Sequence, residues 1–221
     1  MTPYFPAVHN SWIEYIFLGF EGTYNPVDGT ISVDGNTRRP KPSYWTTNEY
    51  MRTTCLVDPN DAIPCVRRVN TELHQPPAPD MLYAGKCLYN GPWRLPGQPG
   101  YIGEIGAPGF TALPPPPILT INPVAGETFE VLVDFITHGD LTMRGECPAR
   151  YRTTWVGQPW GQYPDTVRTA LQERPDGPDS IVYNYVFARD IGLVDSWWGL
   201  KEADNSLRFD TAWQLYALGN G

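Results

Sequence analysis

Apolar and polar side chains alternate with a period of two along the C-terminal third of the chain. Residues 165–172 and 181–187 both show this alternation, and a turn-forming sequence at 174–179 separates them. Because successive side chains of a strand point to opposite faces, the pattern predicts strands, and in residues 165–172 it predicts one buried face. Proline presets φ and Asp-Gly tolerates a positive φ, so residues 174–179 predict a tight turn. We expect a β-meander that continues to Trp197 and Trp198.

Strands are also predicted elsewhere in the chain. Residues 127–137 alternate cleanly, and residues 11–20 carry apolar side chains on both faces, as in a central strand. Residues 44–56 and 64–73 predict the two strands of a hairpin, while residues 206–218 predict a further strand or a short terminal helix. No segment carries a sustained apolar stripe at helical spacing, so little helix is expected.

Composition supports the same fold class. The chain has 24 prolines and 21 glycines in 221 residues, 13% aromatic residues and only 18% charged residues. An excess of proline and glycine over the usual ~12% indicates many turns, and aromatic side chains suit pleated surfaces. We therefore predict an all-β fold of curved antiparallel sheets, a sandwich or a half-barrel, with long Pro/Gly-rich loops.

A run of four prolines at 114–117 bears on the domain organisation. Four prolines cannot donate to a sheet ladder and favour polyproline II. The chain is predicted to be a single β-rich domain over residues 1–221, or two lobes, 1–113 and 118–221, joined by this run. The run could be a linker, a ligand for an aromatic groove or a packed loop. We favour the packed loop, because nearby aromatic residues would otherwise be exposed.

The charge pattern argues against two kinds of partner. The net charge is −8, and paired basic residues occur only at Arg38-Arg39 and Arg67-Arg68, so a nucleic-acid partner is not expected. The chain has no run of about 18 apolar residues, so no transmembrane segment is expected either.

Four cysteines, Cys55, Cys65, Cys87 and Cys147, form an even set without metal-like spacing. Four cysteines allow three pairings. We predict Cys55–Cys65, near the open end of the predicted hairpin loop, and Cys87–Cys147, which together imply an extracellular, periplasmic or cell-surface location. The alternative is four reduced, buried thiols in the cytosol. No signal peptide is visible, so export would require that Met1 replaces a removed leader or that another route is used.

Signals for catalysis are weak. No nucleophile elbow, C-x-x-C pair, dinucleotide fingerprint or P-loop is present, so we do not expect an enzyme. His138 and Asp140 could form an imidazole–carboxylate pair, but a polar turn explains them equally well. Acids for a glycosidase pair exist, although sequence cannot bring two together: Glu104, Glu127, Glu130, Asp134 and Asp195. No cofactor or metal is expected, with calcium a weak alternative in two acidic turns: Asp58, Asn60 and Asp61, or Asp176 and Asp179.

Aromatic residues provide the main binding hypothesis. Eight tryptophans and thirteen tyrosines could include a flat platform that stacks on sugar rings or on a partner surface. The alternative is that most of them are core residues, and adjacent Trp197 and Trp198 should point to opposite faces of a strand. The candidate binding residues are Tyr44, Trp45, Trp93, Trp155, Trp160, Trp197 and Trp198.

Both ends of the chain resemble a broad, largely uncharacterised group of bacterial secreted proteins and lipoproteins. The N-terminal match is Tyr4-Phe5-Pro6 followed by Trp12-x-Tyr15, and the C-terminal match is Gly161-x-Tyr163 followed by residues 185–194. Tyr163 and Asp190 depart from the group's phenylalanine and glycine. The resemblance covers about a third of the chain. It implies export and a curved antiparallel sheet, and it assigns no catalytic residue.

The function predicted from these observations is that of a non-catalytic exported structural or interaction module. Such a module would act through an aromatic-rich surface on protein subunits, including copies of itself, within an assembly. Two alternatives stay open: a carbohydrate-binding or glycoside-active protein, and a carrier of an apolar ligand in a half-barrel.

Overall fold

The computed structural model describes residues 2–6, 11–18, 22–25, 30–33, 50–57, 66–73, 86–106, 114–136, 144–177, 180–201 and 207–220. The described residues contain fourteen strands and no helix. The first seven strands are β1 (Ser11–Leu18), β2 (Gly22–Asn25), β3 (Thr30–Val33), β4 (Tyr50–Val57), β5 (Val66–Leu73), β6 (Lys86–Trp93) and β7 (Tyr101–Gly106). The others are β8 (Pro117–Thr120), β9 (Thr128–Ile136), β10 (Arg144–Trp160), β11 (Tyr163–Glu173), β12 (Ser180–Ala188), β13 (Gly192–Lys201) and β14 (Leu207–Asn220).

Twelve of these strands form one antiparallel sheet. Its order is β8-β7-β6-β5-β4-β1-β14-β13-β12-β11-β10-β9, so the sheet consists of two meanders joined by β1, which pairs with both β4 and β14. Strands β2 and β3 form a separate hairpin that lies near β12 and β14. The all-β, antiparallel fold class is confirmed, and the predicted C-terminal segment is a strand.

Strands from both sides of the proline run belong to this one sheet. Pro115 and Pro117 are buried, and Pro115 packs so closely on Gly103 that a Cβ at position 103 would lie 2.6 Å from the Pro115 Cγ. The Tyr101 hydroxyl also donates to the Pro115 carbonyl at 3.1 Å. The run is therefore packed on β7 as the chain enters β8. The choice between one domain and two lobes stays a prediction.

The sheet folds over itself, so that β8 lies against one face of β10 and β11. We call this the inner face. One inner cluster joins residues of β7 and β8 to residues of β11 and β12, and Ile102, Leu119, Val167 and Phe187 within it are all fully buried. A second inner cluster surrounds Tyr151 and includes Tyr101, Phe129 and Leu171.

The other face of the sheet, which we call the outer face, is also covered at β11. Residues 166–173 are all buried, so the prediction of a single buried face for this strand is wrong. Val167, Thr169 and Leu171 face the inner side. The alternate side chains, including Thr166 and Arg168, pack against tryptophans on the outer face. Alternation detected the strand but could not show that its polar side was covered as well.

Two side chains of the inner face form hydrogen bonds with backbone groups on the free edge of β8. An edge strand leaves a row of N–H and C=O groups without a ladder partner. Here the Thr120 N–H donates to the Tyr151 hydroxyl at 3.0 Å, and the Thr169 hydroxyl donates to the Ile118 carbonyl at 2.6 Å. The ladder partner of β8 is β7, which uses the opposite edge. Side-chain hydrogen bonds therefore replace a further strand at this end of the sheet.

The N-terminal segment closes one end of the inner core. Phe5 is buried in the first inner cluster, and the Asp190 N–H donates to the Pro3 carbonyl at 2.8 Å. The Tyr4 hydroxyl donates to Asp165 Oδ1 at 2.7 Å, while the Arg189 guanidinium lies over the Tyr4 ring and donates to Asp165. Hydrogen bonds from Arg189 and Tyr4 hold the pKa of the Asp165 carboxyl below its ordinary value.

Replacing Tyr151 by phenylalanine tests whether its hydroxyl holds the free edge of β8 on the inner face. Tyr151→Phe leaves the buried Thr120 N–H without its acceptor, which should cost about 1–3 kcal/mol of unfolding free energy. The measurement is urea unfolding, with Tyr163→Phe as the control because the Tyr163 hydroxyl accepts a hydrogen bond from exposed Gln162. An unchanged urea midpoint in Tyr151→Phe would contradict this role.

The buried Tyr151 hydroxyl also predicts a dependence of stability on alkaline pH. Burial raises the pKa of Tyr151 to about 12, so the unfolding free energy of the wild type should fall as the pH rises above about 10.

The contacts of the N-terminal segment predict that the stability of the fold decreases at acid pH. Because the folded pKa of Asp165 is lowered, its contribution is present above the ordinary aspartate pKa and is lost as the pH falls through the folded value. Wild type should therefore be more stable than Asp165→Asn near neutral pH, and the difference should shrink as the pH falls below the ordinary aspartate pKa. Asp176→Asn is the control, since the Asp176 side chain is 92% exposed. A difference between wild type and Asp165→Asn that does not change with pH would show that the carboxylate charge plays no part.

Candidate binding site

Two tryptophans of β10 lie on the same outer face, although five positions separate them. In a regular strand, residues an odd number apart point to opposite faces. The β10–β11 ladder is irregular between Gln158 and Trp160, and it also has a bulge between Val156 and Gln158, where Gly157 has a φ of 73°. The extra residue of this bulge shifts the alternation by one position. As a result, Trp155 and Trp160 face the same side, and their ring centroids are 5.7 Å apart.

Trp197 of β13 completes a group of three indoles. The Trp160 and Trp197 rings are stacked, with centroids 5.6 Å apart and planes 13° apart. Trp197 is only 2% exposed, whereas Trp155 and Trp160 are half-buried. We call Trp155, Trp160 and Trp197 the tryptophan cluster. Its innermost member forms the base, and the two β10 members reach the surface.

A buried arginine lies between two members of the tryptophan cluster. The Arg168 guanidinium carbon is 5.0 Å from the ring centroid of Trp155 and 5.0 Å from that of Trp197. The side chain is 5% exposed and donates to the Asn184 amide oxygen at 3.2 Å. Cation–π contacts become stronger when the cation is desolvated, so Arg168 fixes the spacing of the two indoles.

Hydrogen bonds fix the orientation of the two surface indoles. The Trp160 N–H donates to Asp195 Oδ2 at 2.9 Å, and Asp195 is 2% exposed. The Trp155 N–H donates to the Thr166 hydroxyl at 3.1 Å, which in turn donates to the Gln158 carbonyl. Both indole N–H groups are therefore engaged within the protein, and the rings offer carbon faces and edges to the outside.

The hairpin that joins β10 to β11 surrounds these rings with uncharged residues. We call residues 156–164, of sequence VGQPWGQYP, the hairpin tip. Gln158, Pro159 and Gln162 are exposed, and the Gln162 amide nitrogen donates to the Tyr163 hydroxyl at 3.2 Å. The hairpin tip therefore offers aromatic surface and amide hydrogen-bonding groups without a formal charge.

The other predicted binding residues lie elsewhere or outside the described residues. Trp93 packs against the second inner cluster, away from the tryptophan cluster. Trp198 belongs to β13, but its side chain is outside the described part of the structure, as are Tyr44 and Trp45. The structure thus brings together three of the seven candidates. It adds Arg168 and Asn184, which no sequence pattern indicates, and Asp195, for which the sequence offers only the role of a glycosidase acid.

One predicted disulfide is absent. Cys147 carries a free, buried thiol in the second inner cluster, so the prediction that Cys87 and Cys147 form a disulfide is wrong. Its strand, β10, pairs with β9 and β11, whereas Cys87 lies in β6, which pairs with β5 and β7. The even number of cysteines carried no information about these positions. Cys65 lies outside the described residues, so Cys55–Cys65 stays a prediction.

The predicted catalytic and calcium-binding residues give no assembled centre in the described part of the chain. Glu130 forms an ion pair with Arg150 at 2.8 Å, and Asp195 is held by Trp160. Within the described residues, no three His, Cys, Asp or Glu side chains converge as metal ligands. Glu127 is half-buried just before β9, whereas Glu104 of β7 and Asp134 of β9 have side chains outside the described part. The turn candidates lie wholly or partly outside the described residues: His138 with Asp140, Asp58 with Asn60 and Asp61, and Asp179 beside described Asp176. Nor is any helix of the described part long and apolar enough to cross a membrane.

Comparison with known proteins adds little. No protein-family model matches the chain, and no curated protein matches it. Among solved structures, the chain is similar to a protein from Parabacteroides distasonis ATCC 8503 whose description classes it provisionally as a lipoprotein. The two share 11% sequence identity over 98% of each chain, with a TM-score of 0.40. A likeness this distant supports no argument about function, and the resemblance of the chain's ends stays a prediction.

Proposed function

We propose that the protein is a non-catalytic, exported binding module whose contact surface consists of the hairpin tip together with Trp155 and Trp160. The observation that carries the proposal is that both indoles are held in place before any contact. Their rings pack against one another with centroids 5.7 Å apart, Trp160 stacks on Trp197, and both indole N–H groups donate hydrogen bonds within the protein. Tryptophan is enriched among residues that dominate binding energy, and a ring already held in place loses little entropy on contact. Export belongs to the proposal and rests on the resemblance of the chain's ends.

A core role alone accounts less well for this arrangement. Trp197 and Arg168 are buried and stabilise the sheet, but Trp155 and Trp160 remain half-buried beside exposed glutamines. The inner face offers less support for the apolar-carrier alternative, because its described part is filled by tightly packed side chains such as Leu119 and Phe187. The hairpin tip is therefore the better candidate for a contact surface.

The test compares a hairpin-tip double variant with a control double variant. Trp155→Ala/Trp160→Ala should abolish wild-type binding, measured on a mixed array of immobilised glycans and proteins that includes the protein itself. Val124→Ser/Leu132→Ser is the control, because these two side chains are 61% and 47% exposed in and beside β9. Circular dichroism must show that both variants keep the wild-type sheet. Binding lost in the β9 variant and kept in the hairpin-tip variant would contradict the proposal.

A second candidate is assembly through β9. This strand ends the sheet, pairs with β10, and carries exposed Leu132 with Val124 close by in sequence. Edge strands are templates for pairing with another chain. In that case light scattering should give a mass above the 24.8 kDa of the monomer, and Leu132→Lys should return it to the monomer. A monomeric wild type at all concentrations would remove this candidate.

A further inference from the structure

We propose that the ligand of the hairpin tip is an uncharged saccharide, which stacks a sugar ring on Trp155 or Trp160 and bonds its hydroxyls to the flanking glutamines. This inference rests on the proposed function, since it names the chemical class recognised by the same surface. Three features carry it: the size of the apolar contact, the hydrogen-bonding groups around it and the absence of charge in the hairpin tip.

The apolar contact is small. A stable protein–protein interface buries about 800 Å² on each partner and contains an apolar centre. Within the described residues, the apolar side chains of the hairpin tip are half-buried Val156, Trp160 and Tyr163 and exposed Pro159 and Pro164, with half-buried Trp155 beside them. The exposed large apolar side chains within the described residues, Val124 and Leu132, belong to the β9 end of the sheet instead. An area of this size matches one or two sugar rings better than a protein partner.

The aromatic surface has the chemistry that a sugar ring requires. The face of an indole is electron-rich, and it attracts the weakly positive C–H groups on the apolar side of a pyranose. Because the indole N–H groups donate to Asp195 and Thr166, the rings present carbon rather than polar atoms to a ligand. The contact with Asp195 and the stacking on Trp197 also hold the Trp160 plane in one orientation before any ligand arrives.

The surrounding polar groups match hydroxyls. A glutamine amide both donates and accepts hydrogen bonds, as does a sugar hydroxyl. Gln158 and Gln162, two positions before and after Trp160 in the sequence, are exposed, and Tyr163 adds a hydroxyl. No Asp, Glu, Lys, Arg or His occurs in residues 156–164. Arg168 and Asp195, the charged residues seen in contact with the tryptophan cluster, are buried. A charged ligand would therefore find no opposite charge here, which favours neutral over acidic saccharides.

The experiment is affinity electrophoresis of the full chain in native gels. The neutral probes are soluble β-glucan, xyloglucan, galactomannan, xylan and dextran, and the acidic probe is polygalacturonate. At least one neutral probe should retard the wild type, and polygalacturonate should not. Gln162→Ala should weaken retardation, and Trp160→Ala should lower the association constant by at least roughly tenfold. Trp93→Phe, a tryptophan change in the inner core, should leave it unaltered. Tyr163→Phe is a milder variant that keeps the ring and removes one hydroxyl.

The outcomes separate the two proposals. Failure of every neutral probe to retard the wild type would overturn the saccharide assignment, as would stronger retardation by polygalacturonate. If the hairpin-tip double variant then still lost a protein contact on the array, the contact surface would stand with a protein as its partner. If neither assay responded to the hairpin-tip variants, both the ligand class and the surface would be wrong. Loss of the wild-type circular dichroism in Trp160→Ala would transfer the test to Gln162→Ala and Tyr163→Phe, whose side chains lie at the surface.

Discussion

The rest of the fold depends on the hydrogen bonds that join the free edge of β8 to side chains of the inner face. Burying an edge strand leaves N–H and C=O groups that each cost free energy unless a partner is found. Tyr151 of β10 and Thr169 of β11 supply those partners, and both strands belong to the C-terminal meander. The sheet can therefore fold over itself and enclose Ile102, Leu119 and Phe187, with side chains as the hydrogen-bond partners of the β8 edge in the described structure.

The folding of the sheet over its inner face determines which side chains of β10 and β11 lie on the outer face. With its inner side chains committed to the core, β11 can present only its alternate side chains to the outer face, and Arg168 is among them. The bulge at Gly157 then brings Trp155 and Trp160 to the same side as Arg168. Irregular pairing between Val156 and Trp160 thus places on one face two indoles that a regular strand would direct to opposite faces. The rigid core below keeps that surface fixed, as preorganised binding requires.

The sequence predicted the strands well because alternation is a local signal. Residues 127–137, 165–172 and 181–187 all fall on strands, and the hairpin of β4 and β5 lies where apolar runs and a turn predicted it. The pairing of β1 with β14, by contrast, joins distant parts of the chain, which no local pattern reports. The sequence proposes Trp155, Trp160 and Trp197 as binding residues but cannot separate them from the other four candidates, because regular alternation places Trp155 and Trp160 on opposite faces. Gly157 and Gly161, both with positive φ, were the signal of irregular backbone. The pairing of Cys87 with Cys147 was wrong because counting cysteines says nothing about which strands adjoin.

The central claim is that Trp155 and Trp160 form the contact surface, and indole N–H resonances test it most directly. The protein has eight tryptophans, so ¹H–¹⁵N spectra of the indole groups are simple enough to assign by single substitutions to phenylalanine. On titration with a neutral oligosaccharide, the resonances of Trp155 and Trp160 should move together and saturate, while that of Trp93 stays in place. Movement of Trp93 with the other two unchanged, or no movement at all across the neutral saccharides, would contradict the account.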